Sequence, residues 1–463
     1  MLTFFDRDHR LQRRAFLKVG ALSLGGLTLP SLFRSRALAA EKPLLKDRSV
    51  IFLFLHGGPS QIETFDPKMS APSDIHSATG EVQTTLPGVT FGGTFPRLAA
   101  LADQVTVVRS FVTGDGNHDI KPVMGRDTFG ANLGSIYARV AGMNNPDNGM
   151  PTNVLLFPRA VDPTTQKAEM SFGKFNDTGT LGSAYAPFDP SGGGSLQKDM
   201  KLGIPRDRLD DRRLLLNELD RVKLTLAESG RSDGLDRVRE MAFTTILNGI
   251  ADAFDLSRES TKTVARYDTA PLVRPENISR KWNNYNNYVD NAKSLGKLLL
   301  LARRLCERGC GFVTVTTNFV WDMHSDVNNA GVAEGMGYMG LPLDYALSAF
   351  LEDVKVRGLS EKILLVVCGE MGRTPKINQG GGRDHWGNLA PLLLAGGGLK
   401  MGQVIGQSTR NAGDPATEPV HIRNLIATIL HVLFDVGELR IVPGVPREIG
   451  SIMTGWEPIR GVV

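Results

Sequence analysis

Six short runs of Val, Ile, Leu and Phe constrain the fold more than any other feature of this chain. They are Val50–Leu55, Val105–Val108, Asn153–Phe157, Phe312–Thr316, Ile363–Val367 and Leu392–Ala395. They show little alternation of apolar with polar residues. A strand that lacks this alternation is covered on both faces, as in a parallel sheet flanked by helices. Helical patterns stand between the runs. Phe95–Leu101 and Ile136–Val140 are short candidates. Ala292–Cys306 is strong and is followed at once by a strand. Tyr345–Val356 leads into another, and Ile422–Phe434 is apolar at helical spacing. The alternation predicts an α/β domain with a mostly parallel sheet.

Between the third and fourth runs the composition changes. Residues 159–205 are rich in Gly, Pro, Ser and Asp, and residues 208–290 carry charged, heptad-like stretches such as RLDDRRLLLNELDRVKL. The segment at about 159–290 reads as a helical insertion or cap on the α/β core. No internal repeat is visible.

The first 39 residues read as a separate signal. They pair Arg13 with Arg14, continue through Phe16, Leu17 and Lys18 into a short apolar stretch, and end in Ala37-Leu38-Ala39. This resembles a twin-arginine export signal with small residues before a cleavage site, although Gln12 stands where Ser or Thr is usual. The apolar part, about Val19–Phe33, is short for a membrane span. The expectation is export to the periplasm or cell envelope, with no transmembrane segment after cleavage. Twin-arginine export carries folded proteins, which suits a metal loaded inside the cell.

The signal also explains the charge. The chain has 53 Lys and Arg against 49 Asp and Glu; residues 1–39 hold seven and two of these, so the remainder has 46 against 47. A body near neutrality has no basic surface for nucleic acid. The three cysteines, Cys306, Cys310 and Cys368, form no disulfide framework and cannot build a four-cysteine zinc site. Cys306 and Cys310 read as buried thiols, with one local disulfide as the alternative.

Ligands of open parallel sheets bind beyond the carboxyl ends of the strands. Beyond Leu55 come His56, Ser60, Glu63 and Asp66. Beyond Val108 come Asp115, Asn117, His118 and Asp119. Beyond Thr316 come Asp322, His324 and Asp326. Beyond Val367 come Glu370, Arg373, Arg383, Asp384 and His385. Imidazole with carboxylate suits zinc first, with iron or manganese next and calcium as the harder alternative. Loops from four strands could converge on a one- or two-metal site that activates water and clamps an anionic ester. The metal candidates are His56, His118, Asp322, His324, Glu370, Asp384 and His385. Arg373 and Arg383 would hold the anion as planar forks. Each has a plainer alternative: His56 as a turn residue, Asp384-His385 as a surface pair, Trp321 and Trp386 as core. His421 and His431, on an apolar helix, read as structural.

The segments LHGGPSQIETFDPK, NHDIKPVMGRDTFGANLGSIYARV, TLGSAYAPFDP, FVTVTTNFVWDMHSD, CGEMGRTPKINQGGGRDHWGN and IRNLIATILHVLF together resemble an uncharacterised, sulfatase-like family of exported bacterial proteins within the alkaline-phosphatase-like superfamily. The resemblance runs through nearly the whole chain after the signal. It implies an α/β/α sandwich and metal-assisted hydrolysis of phosphate or sulfate esters. By motif, Asp322 and His324 match one ligand pair of the superfamily, Glu370 stands in the place of a second, and His385 matches the late histidine. Three positions depart from the pattern. His56 stands where relatives carry Asp, Met371 follows Glu370 where they carry His, and GDGNHDIKPVMG supplies no Ser, Thr or Cys nucleophile at the usual place. The expected function is therefore an exported, metal-dependent ester hydrolase with an atypical, His-rich site, in which Ser60, Thr113 or a metal-activated water attacks. Its partner would be an anionic ester or polymer. The alternative is a non-catalytic scaffold that binds a polymer or a protein partner in the envelope.

Overall fold

A computed structural model describes residues 44–191, 250–439, 445 and 447–463, with two-residue strands at Phe5–Asp6 and His9–Arg10. The segment expected to be an export signal lies almost wholly outside these residues. So does the middle of the insertion, with its heptad-like stretch.

The core is one seven-stranded sheet. Its strands in chain order are β1 (Ser49–Phe54), β2 (Thr106–Val108), β3 (Asn153–Leu156), β4 (Phe312–Thr316), β5 (Ile363–Cys368), β6 (Leu392–Gly396) and β7 (Gln403–Ile405). Across the sheet the order is β7-β2-β6-β5-β1-β4-β3. Only β6 runs against its neighbours. The pairs β5–β1, β1–β4, β4–β3 and β2–β7 are parallel. The register places Val366 and Thr314 on either side of Phe52. Because β2 and β5 both oppose β6, strands β1, β2, β4 and β5 share one direction and end on the same edge.

Both faces are covered, which is why the apolar runs do not alternate. Ile51 and Leu53 of β1, with Leu55 just beyond it, face one core, while Val50, Phe52 and Phe54 face the other. The first core is closed by α2 (Tyr285–Glu307) and α3 (Val332–Val356), through Leu295, Leu298 and Leu305 of one and Met336, Leu343 and Phe350 of the other. The second is closed by α1 (Leu133–Ala141) and α4 (Ile422–Leu433), with Leu133, Ile136, Leu425, Ile429 and Leu433 buried. In α2 every residue from Leu298 to Cys306 is buried, so that stretch is covered on more than one side. The result is the expected α/β/α sandwich with a mostly parallel sheet.

Several elements exceed the sequence reading, among them α2, which begins at Tyr285, seven residues before the predicted Ala292. α3 begins at Val332, thirteen residues before the predicted start, and continues through Pro342. β7 has no apolar run because its three residues are only half-buried. All three cysteines are free and buried. Among the described residues, no helix is long and apolar enough to cross a membrane.

Candidate metal centre

The loops leaving β1 and β4 are stitched together. The His56 carbonyl accepts the Val320 and Trp321 N–H groups at 3.1 and 3.0 Å. Gly57 allows this approach: its φ is +115°, and a Cβ there would lie 2.6–2.9 Å from backbone atoms of Trp321 and Asp322. The same turn points the Gly57 N–H at the Glu370 carboxylate, 2.9 and 3.2 Å from its two oxygens. Beyond β5, Gly372–Arg373 pairs with His385–Trp386 and sets His385 opposite Arg373.

Three donor atoms meet where these loops converge. His118 Nε2 lies 3.0 Å from His385 Nε2 and 3.5 Å from Asp322 Oδ1, and His385 Nε2 lies 3.2 Å from that same oxygen. Among the described residues, His118, Asp322 and His385 form a group whose ligand atoms could share an ion. Ligands bound at ~2.0–2.1 Å around a tetrahedral zinc stand about 3.3–3.4 Å apart. The edges of the triangle, 3.0–3.5 Å, are close to that spacing.

The donors are oriented from behind. His118 Nδ1 lies 3.0 Å from Glu370 Oε1. A carboxylate only accepts, so Nδ1 carries a proton, and an ion in the triangle would meet the lone pair of Nε2. This is the carboxylate–histidine arrangement that fixes the tautomer of a metal-bound imidazole. Glu370 itself is fully buried. Asp322 is held on both oxygens. Arg373 donates to Oδ1 at 2.6 Å, leaving that oxygen a second lone pair for the triangle. His324 Nε2 and Asn329 Nδ2 lie 2.8 and 3.2 Å from Oδ2. Exposure increases outward: His118 has 13% of its side chain accessible, His324 24% and His385 36%. The mouth of the site is on the His385 side.

Charge follows this geometry. Burial would push the Asp322 carboxyl up, but hydrogen bonds from His118, His324 and His385, with the Arg373 charge, hold it far below the usual carboxylate range. Burial lowers His118, yet its bonds to Asp322 and Glu370 outweigh this and raise it. The bond to Asp322 raises His324, with burial opposing.

Several expected site residues have other roles. His56 is 1% exposed and both its ring nitrogens lack a partner. Phe54, Phe172, Phe175 and Phe319 surround it at ring distances of 5.1–5.9 Å, and burial pushes its pKa down. It stands outside the ligand triangle. Glu370 stands behind His118 rather than in the triangle. The Asp384 carboxylate is exposed and accepts from Asn378 at 3.0 Å. Arg373 and Arg383, expected as anion forks, are fully buried and directed at protein groups. Arg373 donates to Asp322 and to carbonyls of Gly57, Gly58 and Arg383. Arg383 pairs with buried Glu63 at 2.9 Å and donates to carbonyls of Thr374, Pro375, Ile75 and His76. Ser60 caps the one-turn helix Gln61–Thr64, accepting from the Ile62 and Glu63 N–H groups at 3.2 and 3.3 Å. Thr113 Oγ1 donates to the Gly387 carbonyl at 3.4 Å. Neither Glu63 nor Asp66 folds back to the centre: Glu63 binds Arg383, Ser77 and Ala78, and Asp66 binds Ser408, Lys68 and Arg109. Asn329, which the sequence reading passed over, touches Asp322 directly.

A family model described as "Protein of unknown function (DUF1501)" matches residues 47–438. No curated protein sequence matches the chain. Similar solved structures include a sulfatase from Pseudoalteromonas sp., with a TM-score of 0.35 and 11% identity over 87% of this chain and 71% of that one. Phosphonate monoester hydrolases from Silicibacter pomeroyi and Agrobacterium radiobacter each give a TM-score of 0.29. Their identities are 11% and 12%, over 83% and 89% of this chain and 73% and 78% of theirs.

Proposed function

We propose that this chain, which belongs to the family of proteins of unknown function DUF1501, is an exported, metal-dependent hydrolase of phosphate or sulfate esters. The observation that carries this reading is the triangle of His118 Nε2, Asp322 Oδ1 and His385 Nε2, with edges of 3.0–3.5 Å. His118, Asp322 and His385 would hold one divalent ion, zinc by the donor set. A divalent ion at that point lowers the pKa of water and stabilises charge on an ester oxygen.

The chain's own residues supply the rest. Glu370 keeps His118 in the ligating tautomer. Arg373 and Asn329 hold the Asp322 carboxylate in place. His324 is partly exposed and its bond to Asp322 raises its pKa, which fits it to pass a proton to the leaving oxygen at the mouth. The hydroxyls of Ser60 and Thr113 make no bond to His118, Asp322 or His385, so attack by water suits the site better than a covalent intermediate. The resemblance of the loop motifs supports the ester class, and the arginine pair with Ala37-Leu38-Ala39 supports export.

One observation favours a second reading, a non-catalytic scaffold that binds a polymer or protein partner in the envelope. Arg373 and Arg383 are turned inward, and neither Ser60 nor Thr113 bonds to the triangle. Metal analysis of purified protein, wild type against His385→Ala, followed by a panel of phosphate and sulfate esters, separates the readings. Bound metal lost in the variant, with turnover in the wild type, supports the enzyme. Bound metal without turnover supports the scaffold. A wild-type protein without transition metal sinks the enzyme reading.

A further inference from the structure

Asn329 is 1% exposed, and both ends of its amide are engaged. The ionised carboxylate of Asp322 can only accept, so Asn329 must turn its NH2 toward Oδ2, 3.2 Å away. That orientation leaves Asn329 Oδ1 to accept from Asn284 Nδ2 at 2.7 Å. Asn284 Oδ1 in turn accepts from Asn287 Nδ2 at 3.0 Å. Three amides therefore point the same way, from the start of α2 to the carboxylate. A parallel rung braces them. Asn283 Nδ2 donates to Asn328 Oδ1 at 2.8 Å, and the Asn283 and Asn284 N–H groups donate to the carbonyls of Val327 and Asn328 at 3.3 and 3.1 Å. From the other side, Asp326 Oδ1 accepts the N–H groups of Asn328 and Asn329 at 2.8 and 2.6 Å.

A carboxylate's terminal torsion is broad, so the direction of Asp322 Oδ1 depends on what holds its other oxygen. His324, one of the two donors to Oδ2, is partly exposed. Asn329 is buried and tied at its far end. We infer that Asn329, braced by Asn284, is a positioning residue that fixes the rotation of the Asp322 carboxylate so that Oδ1 faces His118 and His385. The inference rests on the metal reading above. It also makes Asn283 and Asn284, near the end of the predicted insertion, a working part of the centre rather than a separate cap.

The test is zinc affinity of the purified full chain by chelator competition, with the melting curve of the metal-free protein as a control for folding. Asn329→Leu should weaken zinc binding about tenfold, the low end for outer partners of ligands, because His324 and Arg373 still hold Asp322. Asn284→Ala touches no ligand and should weaken it about threefold. The double variant should be no weaker than Asn329→Leu, since Asn284 acts through Asn329. A folded Asn329→Leu protein that binds zinc within about twofold of wild type overturns the inference, as does simple addition of the two effects. If Asn329→Leu does not fold, unchanged affinity in Asn284→Ala overturns it. A wild type that binds no zinc removes the metal reading and this inference with it, which is a different result from an indifferent variant.

Discussion

Glu370→Gln distinguishes a metal ligand from the residue that orients one. Glu370 Oε1 accepts from His118 Nδ1 at 3.0 Å and from the Gly57 N–H at 2.9 Å, while Oε2 lies 3.2 Å from that same N–H. A glutamine can keep its oxygen at the Oε1 position and retain both closer bonds. Its NH2 then faces the Gly57 N–H across 3.2 Å, a mild repulsion. The main loss is charge. A hydrogen bond to an ionised group contributes about 1.5–3 kcal/mol and a neutral one about 0.5–1.5 kcal/mol, so the change costs about 1–1.5 kcal/mol. That is about tenfold in zinc affinity. Chelator competition reads the affinity, and thermal melting of the metal-free variant shows that it folds. A variant within about twofold of wild type would mean that Glu370 does not orient His118. Complete loss of zinc from a folded variant would make Glu370 a ligand, as the sequence suggested, and would refute the geometry argued above.

Three further predictions test other parts of the structure. His56→Phe should keep zinc and stabilise the fold by about 1 kcal/mol in urea unfolding, by removing unpaired polar atoms from an aromatic cage; loss of zinc would return His56 to the ligand set. Arg383→Leu should cost about 3–5 kcal/mol, because it strands fully buried Glu63 without its partner; unchanged stability would free the guanidinium for a substrate anion. Asp344 is 2% exposed and caps the Arg97 and Leu98 N–H groups, and burial pushes its pKa from 3.8 to about 6 despite those two bonds. A carboxyl raised in the fold binds its proton more tightly there than in the unfolded chain. Stability should therefore fall as pH rises from about 4 to about 6, by up to about 3 kcal/mol from this group. Asp344→Asn should remove that contribution from the melting temperatures of metal-free protein, and an unchanged slope would refute it.

How far the sequence reaches depends on whether a feature is local. Six of the seven strands were legible because burial on both faces leaves an apolar run that needs no knowledge of its neighbours. β7 was not, since half-buried Gln403, Val404 and Ile405 pair only with β2 at the edge of the sheet. The first half of α3 was hidden by Gly335, Gly337, Gly340 and Pro342, which read locally as breakers. In the helix, Gly335 and Gly340 are close contacts instead: a Cβ would meet the Met323 side chain at 2.8 Å and Thr94 at 2.4 Å.

The site divides in the same way. That His118, Asp322 and His385 approach one edge followed from strand polarity. Which imidazole or carboxylate ligates and which stands behind did not, because ligand and support use the same side chains. His118 and Glu370 are 252 positions apart, and His118 and His385 are 267 apart. Only the strand order β2-β6-β5-β1-β4 brings them together. The burial of Arg373 and Arg383 was equally invisible, since a guanidinium that pairs with a buried acid and one that waits for an anion have the same local sequence. The one signal left unread was the repeated doublet Asn283-Asn284 and Asn328-Asn329. Two amide pairs 45 positions apart are unremarkable until α2 and the loop after β4 bring them face to face, and at that point they decide where the Asp322 carboxylate points.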